Sequence, residues 1–209
     1  MLIFFLCVVL AYLVGSTPTA YLIGKWVKKI DIRQHGSGNV GASNVFRVVG
    51  KKWGFLVLGI DVIKGFLSSA LIAKWGYSQS PIFSIPVYCL LVGLSAVAGH
   101  NWTLFLNFRG GKGVATSLGV VLVLLPKAAL LALGVWILVL IPYGYIALSS
   151  MLAALSFPVW IYLLYRTIDD FAVIFVISLV LAVVIIYMHR TNIQRLRAGT
   201  ENRVWKKNN

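Results

Sequence analysis

Charged residues are scarce in this sequence, and acidic ones are the scarcest. Only 11% of the 209 residues are charged, with 5 Asp and Glu against 19 Lys and Arg, while 60% are hydrophobic. Soluble domains are about half apolar and about a quarter charged. One globular core could not bury so much apolar surface, so the composition excludes a soluble domain and predicts a membrane protein. The length predicts a single domain over residues 1–209.

Other absences narrow the chemistry. The two cysteines, Cys7 and Cys89, lie in apolar runs, and we expect buried free thiols there rather than a disulfide. No spacing of Cys, His and acidic residues suits a metal site, and the G-x-S-x-G nucleophile elbow does not occur. We therefore expect no metal, no cofactor and no serine-nucleophile chemistry. No nucleic-acid partner is expected either.

Seven apolar runs are candidate membrane spans. They are residues 2–23, 53–73, 82–106, 114–125, 128–146, 151–165 and 171–188. A span needs about 20 mostly apolar residues, and the runs 114–125 and 151–165 reach that only with flanking residues or a thin bilayer. The sequence thus predicts an all-α, polytopic membrane helix bundle of about seven transmembrane helices, or about five if the two short runs do not cross.

The distribution of Lys and Arg predicts how these helices are oriented. Fifteen of the 19 basic residues fall in alternate connections and in the tail. They are Lys25, Lys28, Lys29, Arg33, Arg47, Lys51, Lys52, Arg109, Lys112, Arg190, Arg195, Arg197, Arg203, Lys206 and Lys207. The positive-inside rule places them in the cytoplasm, with the amino terminus outside and the carboxyl terminus inside. Seven spans then require a third inner turn, which we expect at Ala147–Ser150.

The first cytoplasmic connection carries a cluster of glycines and small polar residues. Its members are Gly36, Ser37, Gly38, Asn39, Gly41, Ser43, Asn44 and Arg47. Glycines allow backbone N–H groups to converge into an anion-binding nest, Ser and Asn add neutral donors, and the planar fork of Arg suits phosphate. The alternative is a polar turn that caps the next helix. The adjoining Asn and Arg residues favour a phosphate site.

A second cluster, Arg109–Gly113, stands where an apolar run resumes towards Thr116. It is not a Walker A loop, because Leu106 occupies the position of the first glycine. Backbone amides at a helix start beside Lys112 can still bind an anion. Ordinary positive charge on an inner connection would explain the same residues. The preceding His100 is more typical of a structural hydrogen bond than of a catalyst.

The third cluster begins where the last apolar run ends. His189 and Asn192 are three residues apart, so on a helix they share a face that Arg195 extends. Histidine titrates near neutral pH and is the commonest general acid or base. A tail that needed only positive charge would not require His189, Asn192 and Glu201, which favours a functional site.

Two ionisable residues, Asp61 and Lys64, lie inside a predicted span. Charges within the bilayer are costly and are usually paired. Their i, i+3 spacing lets the two neutralise each other. We interpret them as a structural pair that positions the first connection.

The three clusters together resemble the signature regions of the bacterial acyl-phosphate-dependent glycerol-3-phosphate acyltransferases. The matching segments are Gly36–Arg47, followed by Asp61 and Lys64 as in the family, then Gly110–Thr116 preceded by Gly99-His100, and His189–Glu201. Their order and spacing extend the resemblance over essentially the whole chain. One departure is Ser43, where the family more often has Thr, which keeps the hydroxyl.

The resemblance implies transfer of an acyl group from acyl phosphate to the 1-hydroxyl of sn-glycerol 3-phosphate, giving lysophosphatidic acid and phosphate. It implies a multi-pass protein of the bacterial inner membrane, with the active site on the cytoplasmic face and membrane lipid around it. The His-x4-Asp pattern of acyl-CoA acyltransferases is absent, since Val40, Phe105 and Gln194 follow the three histidines at that distance.

Roles follow from the resemblance as hypotheses. Acyl phosphate would be bound by Ser37, Asn39 and the backbone of Gly36 and Gly38. Arg47 and Lys112 would offset phosphate charge, helped by the amides of Gly110, Gly111 and Gly113. His189 and Asn192 would orient glycerol 3-phosphate, and Glu201 would brace the tail. Asn44 and Thr116 complete the expected binding residues. Either His189 or a substrate phosphate oxygen would accept the proton.

Two other classes of protein fit part of the pattern. A transporter of a phosphorylated solute would also need Arg, Lys and glycine-rich connections. Against it, the clusters fall on one predicted face, and no internal repeat relates two halves. A structural subunit with a basic, lipid-binding inner face would explain the charge but not the Asn, Ser and Gly pattern.

Overall fold

The computed structural model describes residues 1–205, and all regular elements in that part of the chain are helices, which confirms the all-α class. The α-helices are α1 (Leu2–Ser16), α2 (Thr19–Lys28), α3 (Ala42–Val48), α4 (Lys51–Leu67), α5 (Ala73–Gln79), α6 (Ile85–Asn101), α7 (Val114–Leu124), α8 (Pro126–Tyr143), α9 (Ile146–Tyr165), α10 (Phe171–Met188) and α11 (Arg190–Arg197). Helices α1 to α7 form one compact unit, Met1–Leu124, and the chain from Leu125 onward forms a second. Lys206 and Lys207, which belong to the predicted cytoplasmic group, lie outside the described residues.

Six helical segments of the described chain are long and apolar enough to cross a membrane. They are Leu2–Lys28, Lys51–Gln79, Ile85–Leu106, Pro126–Tyr143, Ile146–Tyr165 and Phe171–Met188. The protein is therefore a multi-pass membrane protein. Helix α7 has only 11 residues, about half of what a span needs, so a count of seven stays a prediction.

Two expected boundaries need correction. The first apolar run is not one helix, because the chain leaves helical geometry at Thr17 and Pro18, between α1 and α2. The turn expected at Ala147–Ser150 is wrong, since those residues lie inside α9. The chain turns instead at Gly144, whose φ of 72° falls in the left-handed region that glycine adopts without steric cost.

Helices α1 and α6 touch backbone to backbone. A Cβ atom at Gly15 would clash with the backbone of Ala96, and one at Gly99 would clash with the carbonyl oxygen of Tyr12. Lipid tails are as apolar as the side chains, so helices in a bilayer gain little from apolar burial alone, and small residues allow the close packing that holds them. The cysteines lie in this packing, buried and unpaired as expected.

The first connection folds onto its own hydrophobic core. The buried members of that core are Ala20, Ile23, Ile32, Val40, Val45, Val49, Val57 and Leu106. Asp31 starts a 3₁₀ turn, Ile32–Gln34, by accepting the Arg33 N–H at 3.0 Å. The Arg33 guanidinium bonds the same carboxylate and lowers the pKa of Asp31 to about 2. The connection between α2 and α3 is therefore ordered rather than a loose polar loop.

In the second unit, the segment after α11 packs back against the turn between α8 and α9. Helices α8, α9 and α10 pack side by side, and the indole N–H of Trp136 donates to the hydroxyl of Ser150 at 3.2 Å. After α11 the chain returns to the α8–α9 turn, where the Val204 N–H donates to the carbonyl of Gly144 at 2.9 Å. Arg203 Nε donates to the hydroxyl of Tyr145 at 3.0 Å.

The orientation can be tested by labelling single cysteines in intact cells with a membrane-impermeant thiol reagent. Cys7 and Cys89 are 0% and 1% exposed, so the wild-type chain should give little background. We expect Ser78→Cys and Thr167→Cys to react from outside, because Ser78 is exposed at the end of α5 and Thr167 is exposed on the connection after α9, both on the predicted outer side. Trp205→Cys should react only after the cells are opened. Labelling of Trp205→Cys in intact cells would contradict a cytoplasmic tail.

Candidate active site

The first cluster is organised around the side chain of Asn44, which is 0% exposed. Its Nδ2 donates to the carbonyls of Ile32 and His35 at 3.2 and 3.0 Å. Its Oδ1 accepts the N–H of Ser37 at 2.9 Å. The amide group of Asn44 thus holds the loop closed, and phosphate binding by Asn44 stays a prediction.

Two backbone amides of the glycine nest expected in this loop make hydrogen bonds within the loop. Gly36 and Gly38 have φ values of 61° and 71°, so both need glycine. However, the Gly38 N–H donates to the His35 carbonyl at 3.1 Å, and the Ser37 N–H is bound by Asn44. These two amides therefore serve the loop itself. The partly exposed side chains of Ser37 and Asn39 remain the candidates for contact with phosphate.

The glycine turn, residues Arg109–Gly113, is fastened to the end of α6. The N–H of Gly110 donates to the Asn101 carbonyl at 3.0 Å, and that of Gly111 donates to the His100 carbonyl at 2.9 Å. These two amides are therefore engaged with α6, and phosphate binding by them stays a prediction. Helix α7 starts directly after the turn, and the first N–H groups of a helix lack partners within it.

Three further candidate residues differ in how exposed they are. Thr116 is 0% exposed, and its carbonyl lies where a Cβ at Gly65 would stand, so it belongs to the α4–α7 contact rather than to an open site. Arg47 is exposed in the last turn of α3, and Lys112 is partly exposed in the glycine turn. These positions suit side chains that meet a ligand entering from the aqueous side.

The first two clusters meet around a small cavity in the first unit. It is lined by Val40 of the first loop, by Gly110 and Gly111 of the glycine turn, and by Asp61 and Lys64. The Asp61–Lys64 ion pair expected from the sequence is confirmed, with 3.0 Å between Nζ and Oδ1. A cavity of about 10 Å³ holds about one water molecule. It is therefore too small to be a substrate pocket.

Sequence reasoning missed several polar residues beside this cavity. Thr19 donates to Asp61 at 3.2 Å, and Thr103 donates to the Ser16 carbonyl. The buried amide of Asn101 lies against Gly113, and within residues 1–205 neither of its polar atoms has a hydrogen-bond partner. The available signal was that each is a polar residue within an apolar run.

The third cluster lies in the second unit. His189 is buried where α10 ends, with Nδ1 2.7 Å from the Ile185 carbonyl oxygen. A carbonyl only accepts, so Nδ1 carries the proton, and in the neutral ring Nε2 is the accepting nitrogen. Asn192 Nδ2 and Arg195 Nε donate to the two carboxylate oxygens of Glu201 at 3.0 and 2.8 Å.

These contacts bear on the role expected for Glu201. Both of its oxygens are engaged with Asn192 and Arg195, a contact of the bracing kind expected for it; its role in substrate binding stays a prediction. Among the described residues, no group of three or more His, Cys, Asp or Glu side chains is arranged to hold a metal ion.

Comparison with known proteins agrees with the arrangement of membrane helices and identifies a family. A family model described as glycerol-3-phosphate acyltransferase matches residues 5–199. A glycerol-3-phosphate acyltransferase of Thermoanaerobacter pseudethanolicus is 41% identical over 202 residues, covering 97% of this chain and 96% of its own.

Two solved structures are also similar. One is the crystal structure of PlsY (YgiH), an integral membrane glycerol 3-phosphate acyltransferase, in its glycerol 3-phosphate form, with a TM-score of 0.84, 37% identity and coverage of 97% and 96%. The other is its lysophosphatidic acid form, with a TM-score of 0.80, 38% identity and coverage of 96% and 94%. The fold and its polar ends thus define an integral membrane acyltransferase. The chain belongs to the glycerol-3-phosphate acyltransferase family.

Removal of the Asn44 side chain should lower the stability of the fold rather than remove a contact to substrate. Asn44→Ala leaves the Ser37 N–H and two carbonyls without their partner, and each buried unsatisfied group costs about 1–3 kcal/mol. We expect a clearly lower thermal unfolding midpoint in detergent. Gln34→Ala, an exposed change in the same loop, should leave the midpoint unchanged. An Asn44→Ala protein with wild-type stability and weakened substrate binding would show that Asn44 contacts substrate instead.

Proposed function

We propose that this protein transfers an acyl group from acyl phosphate to the 1-hydroxyl of sn-glycerol 3-phosphate, producing lysophosphatidic acid and inorganic phosphate. The observation that carries the proposal is the His189 cluster in a chain of this family. A buried imidazole has its accepting nitrogen defined by the Ile185 carbonyl, and Asn192 one turn on is braced by Glu201. The accepting nitrogen of His189 can take a hydrogen bond from a substrate hydroxyl, and the His189–Asn192 pair can hold a polyol phosphate.

The similar structures support the acceptor and the product. They are described as glycerol 3-phosphate and lysophosphatidic acid forms of an integral membrane acyltransferase. Both are phosphorylated glycerol compounds, and one carries a fatty chain. An enzyme for them needs cationic side chains where water meets lipid, which agrees with the exposed Arg47 and partly exposed Lys112 on connections between membrane-spanning segments.

The proposed reaction breaks one bond and forms one. The 1-hydroxyl oxygen attacks the acyl carbonyl carbon, the bond from that carbon to the phosphate oxygen breaks, and phosphate leaves with the electron pair. The hydroxyl proton goes to Nε2 of His189 or to a phosphate oxygen. Acyl phosphate is a mixed anhydride, so phosphate is already a good leaving group, and no covalent enzyme intermediate is needed.

Charge on the leaving phosphate is the main electrostatic demand of this step. Arg47 and Lys112 would offset it, because charge-assisted hydrogen bonds are roughly twice as strong as neutral ones. The amides of Gly110 and Gly111 are bound to α6, so backbone donation would come from the first turn of α7, which begins at Val114. A helix amino terminus is an established kind of anion site.

We place the protein in the bacterial inner membrane with this site on the cytoplasmic face. The proposal rests on the basic residues that border the polar clusters, which the positive-inside rule assigns to the cytoplasm. Both water-soluble glycerol 3-phosphate and a membrane-bound acyl donor can reach such a position.

The donor is tested with purified protein, a long-chain acyl phosphate and radiolabelled glycerol 3-phosphate. We expect label to enter lipid with equal release of phosphate, no turnover with acyl-CoA as sole donor, and no inhibition by a chelator. Phosphate release without glycerol 3-phosphate measures background hydrolysis of the donor. Robust turnover with acyl-CoA alone would contradict the proposed donor.

His189→Ala separates orientation from proton transfer. A side chain that only orients should mainly raise the KM for glycerol 3-phosphate, because the donor is activated and phosphate oxygens can take the proton. Steady-state kinetics to saturating glycerol 3-phosphate will measure this. A fall in kcat beyond about a thousandfold would make His189 the general base. Arg190→Ala, an exposed neighbour stacked on Tyr187, is the matched control and should behave as wild type.

A further inference from the structure

The first unit buries three ionisable side chains that the proposed reaction does not use. Asp61, Lys64 and His100 are 2%, 5% and 8% exposed. All three belong to membrane-spanning segments, Lys51–Gln79 and Ile85–Leu106. Ionisable groups within a span are costly, and their presence points to a function or to a required partner.

The carboxylate of Asp61 joins three parts of the unit. Its Oδ1 accepts Lys64 Nζ at 3.0 Å and Thr19 Oγ1 at 3.2 Å, and it faces His100 Nδ1 at 3.7 Å. Lys64 Nζ also donates to the Thr17 carbonyl at 3.2 Å. Helix α4 is thereby tied both to the break between α1 and α2 and to the end of α6.

His100 continues this connection into the glycine turn. Its carbonyl accepts the Gly111 N–H at 2.9 Å. Its imidazole lies directly against Gly111, since a Cβ there would clash with His100 Nε2. The ring is therefore held between Asp61 on one side and the turn on the other. Lys112, the next residue of that turn, is the side chain expected to meet the donor phosphate.

The cavity beside these residues is too small for them to contact substrate there. Asp61, Lys64, His100 and Gly111 line it, but its volume of about 10 Å³ admits about one water and no substrate. Stability alone also gives a weak reason for the pair, since apolar residues of similar size often replace buried ion pairs at little cost. What an apolar replacement would not supply is a carboxylate facing His100 Nδ1, 3.7 Å away.

We propose that Asp61 and His100 are positioning residues for the acyl donor, which seat the glycine turn so that Lys112 is aligned with the donor phosphate. The inference rests on the proposed function. It gives Asp61 a role in positioning the second cluster, in addition to the support of the first connection that the sequence predicted for Asp61 and Lys64. It concerns donor recognition only, so the acceptor side of the site should not respond.

The test is steady-state kinetics on full-length variants, with each substrate varied in turn. His100→Leu should raise the KM for acyl phosphate about tenfold, the loss expected from one misplaced contact. The KM for glycerol 3-phosphate and kcat should change little. His100→Asn, which keeps a polar group that can face Asp61, should recover most of the donor affinity.

A double change separates positioning from charge balance. Asp61→Leu with Lys64→Met removes both charges, so no unpaired charge is buried, and the protein should fold. It should still show the raised KM for acyl phosphate. Ser69→Ala is the structural control, because it removes a different buried hydrogen bond to α6, 3.0 Å to the Cys89 carbonyl. It should lower the unfolding midpoint without changing the donor KM.

The outcomes distinguish this inference from the proposed function. A wild-type donor KM in both His100→Leu and the double variant, with wild-type enzyme active on acyl phosphate, would overturn the positioning role alone. A similar rise in both substrate KM values would also overturn it, since that indicates general damage. Wild-type protein without acyl-phosphate-dependent turnover would contradict the proposed function and the donor role together.

Discussion

Backbone-to-backbone contact between helices is the constraint on which the first unit depends. Gly15 and Gly99 bring α1 against α6, and Gly65 brings α4 against the Thr116 carbonyl of α7. In a bilayer, exchanging lipid contacts for apolar protein contacts yields little free energy, so close packing and polar bonds must hold the helices together. A methyl group at any of these glycines would push two helices apart. It would also displace whatever the helix ends carry.

The polar residues at those ends are useful because the packing holds them in one place. The glycine turn is bonded to the last carbonyls of α6, and the first loop is closed by Asn44 over its own hydrophobic core. In both segments, backbone amides donate hydrogen bonds that hold the segment itself in place. The side chains that remain partly exposed, Ser37, Asn39, Arg47 and Lys112, are then presented from ordered backbone rather than from flexible connections.

The sequence predicted whatever depends on local spacing. Apolar runs located the long helices, apart from the break at Thr17–Pro18 and the start of α9, and the i, i+3 spacing of Asp61 and Lys64 predicted an ion pair that the structure contains. It could not predict contacts between residues distant along the chain, such as Asn44 with Ile32 or Asp61 with His100, because no local pattern encodes which segments return to each other. The glycines were recognised as special, but for anion binding. Close approach to α6 requires the same residue type, and only the fold distinguishes the two uses.

An activated donor changes what an acyltransferase must supply. With a mixed anhydride, the leaving group is good and the proton has several acceptors, so much of the catalytic advantage must come from alignment of the two substrates and from compensation of phosphate charge. Alignment is lost by small displacements, and a residue that never touches substrate can then matter as much as one that does. Buried charges such as Asp61 are costly in a membrane helix. Their presence is easier to understand if they fix the place of a cation that must meet a phosphate than if they served only to hold two helices together.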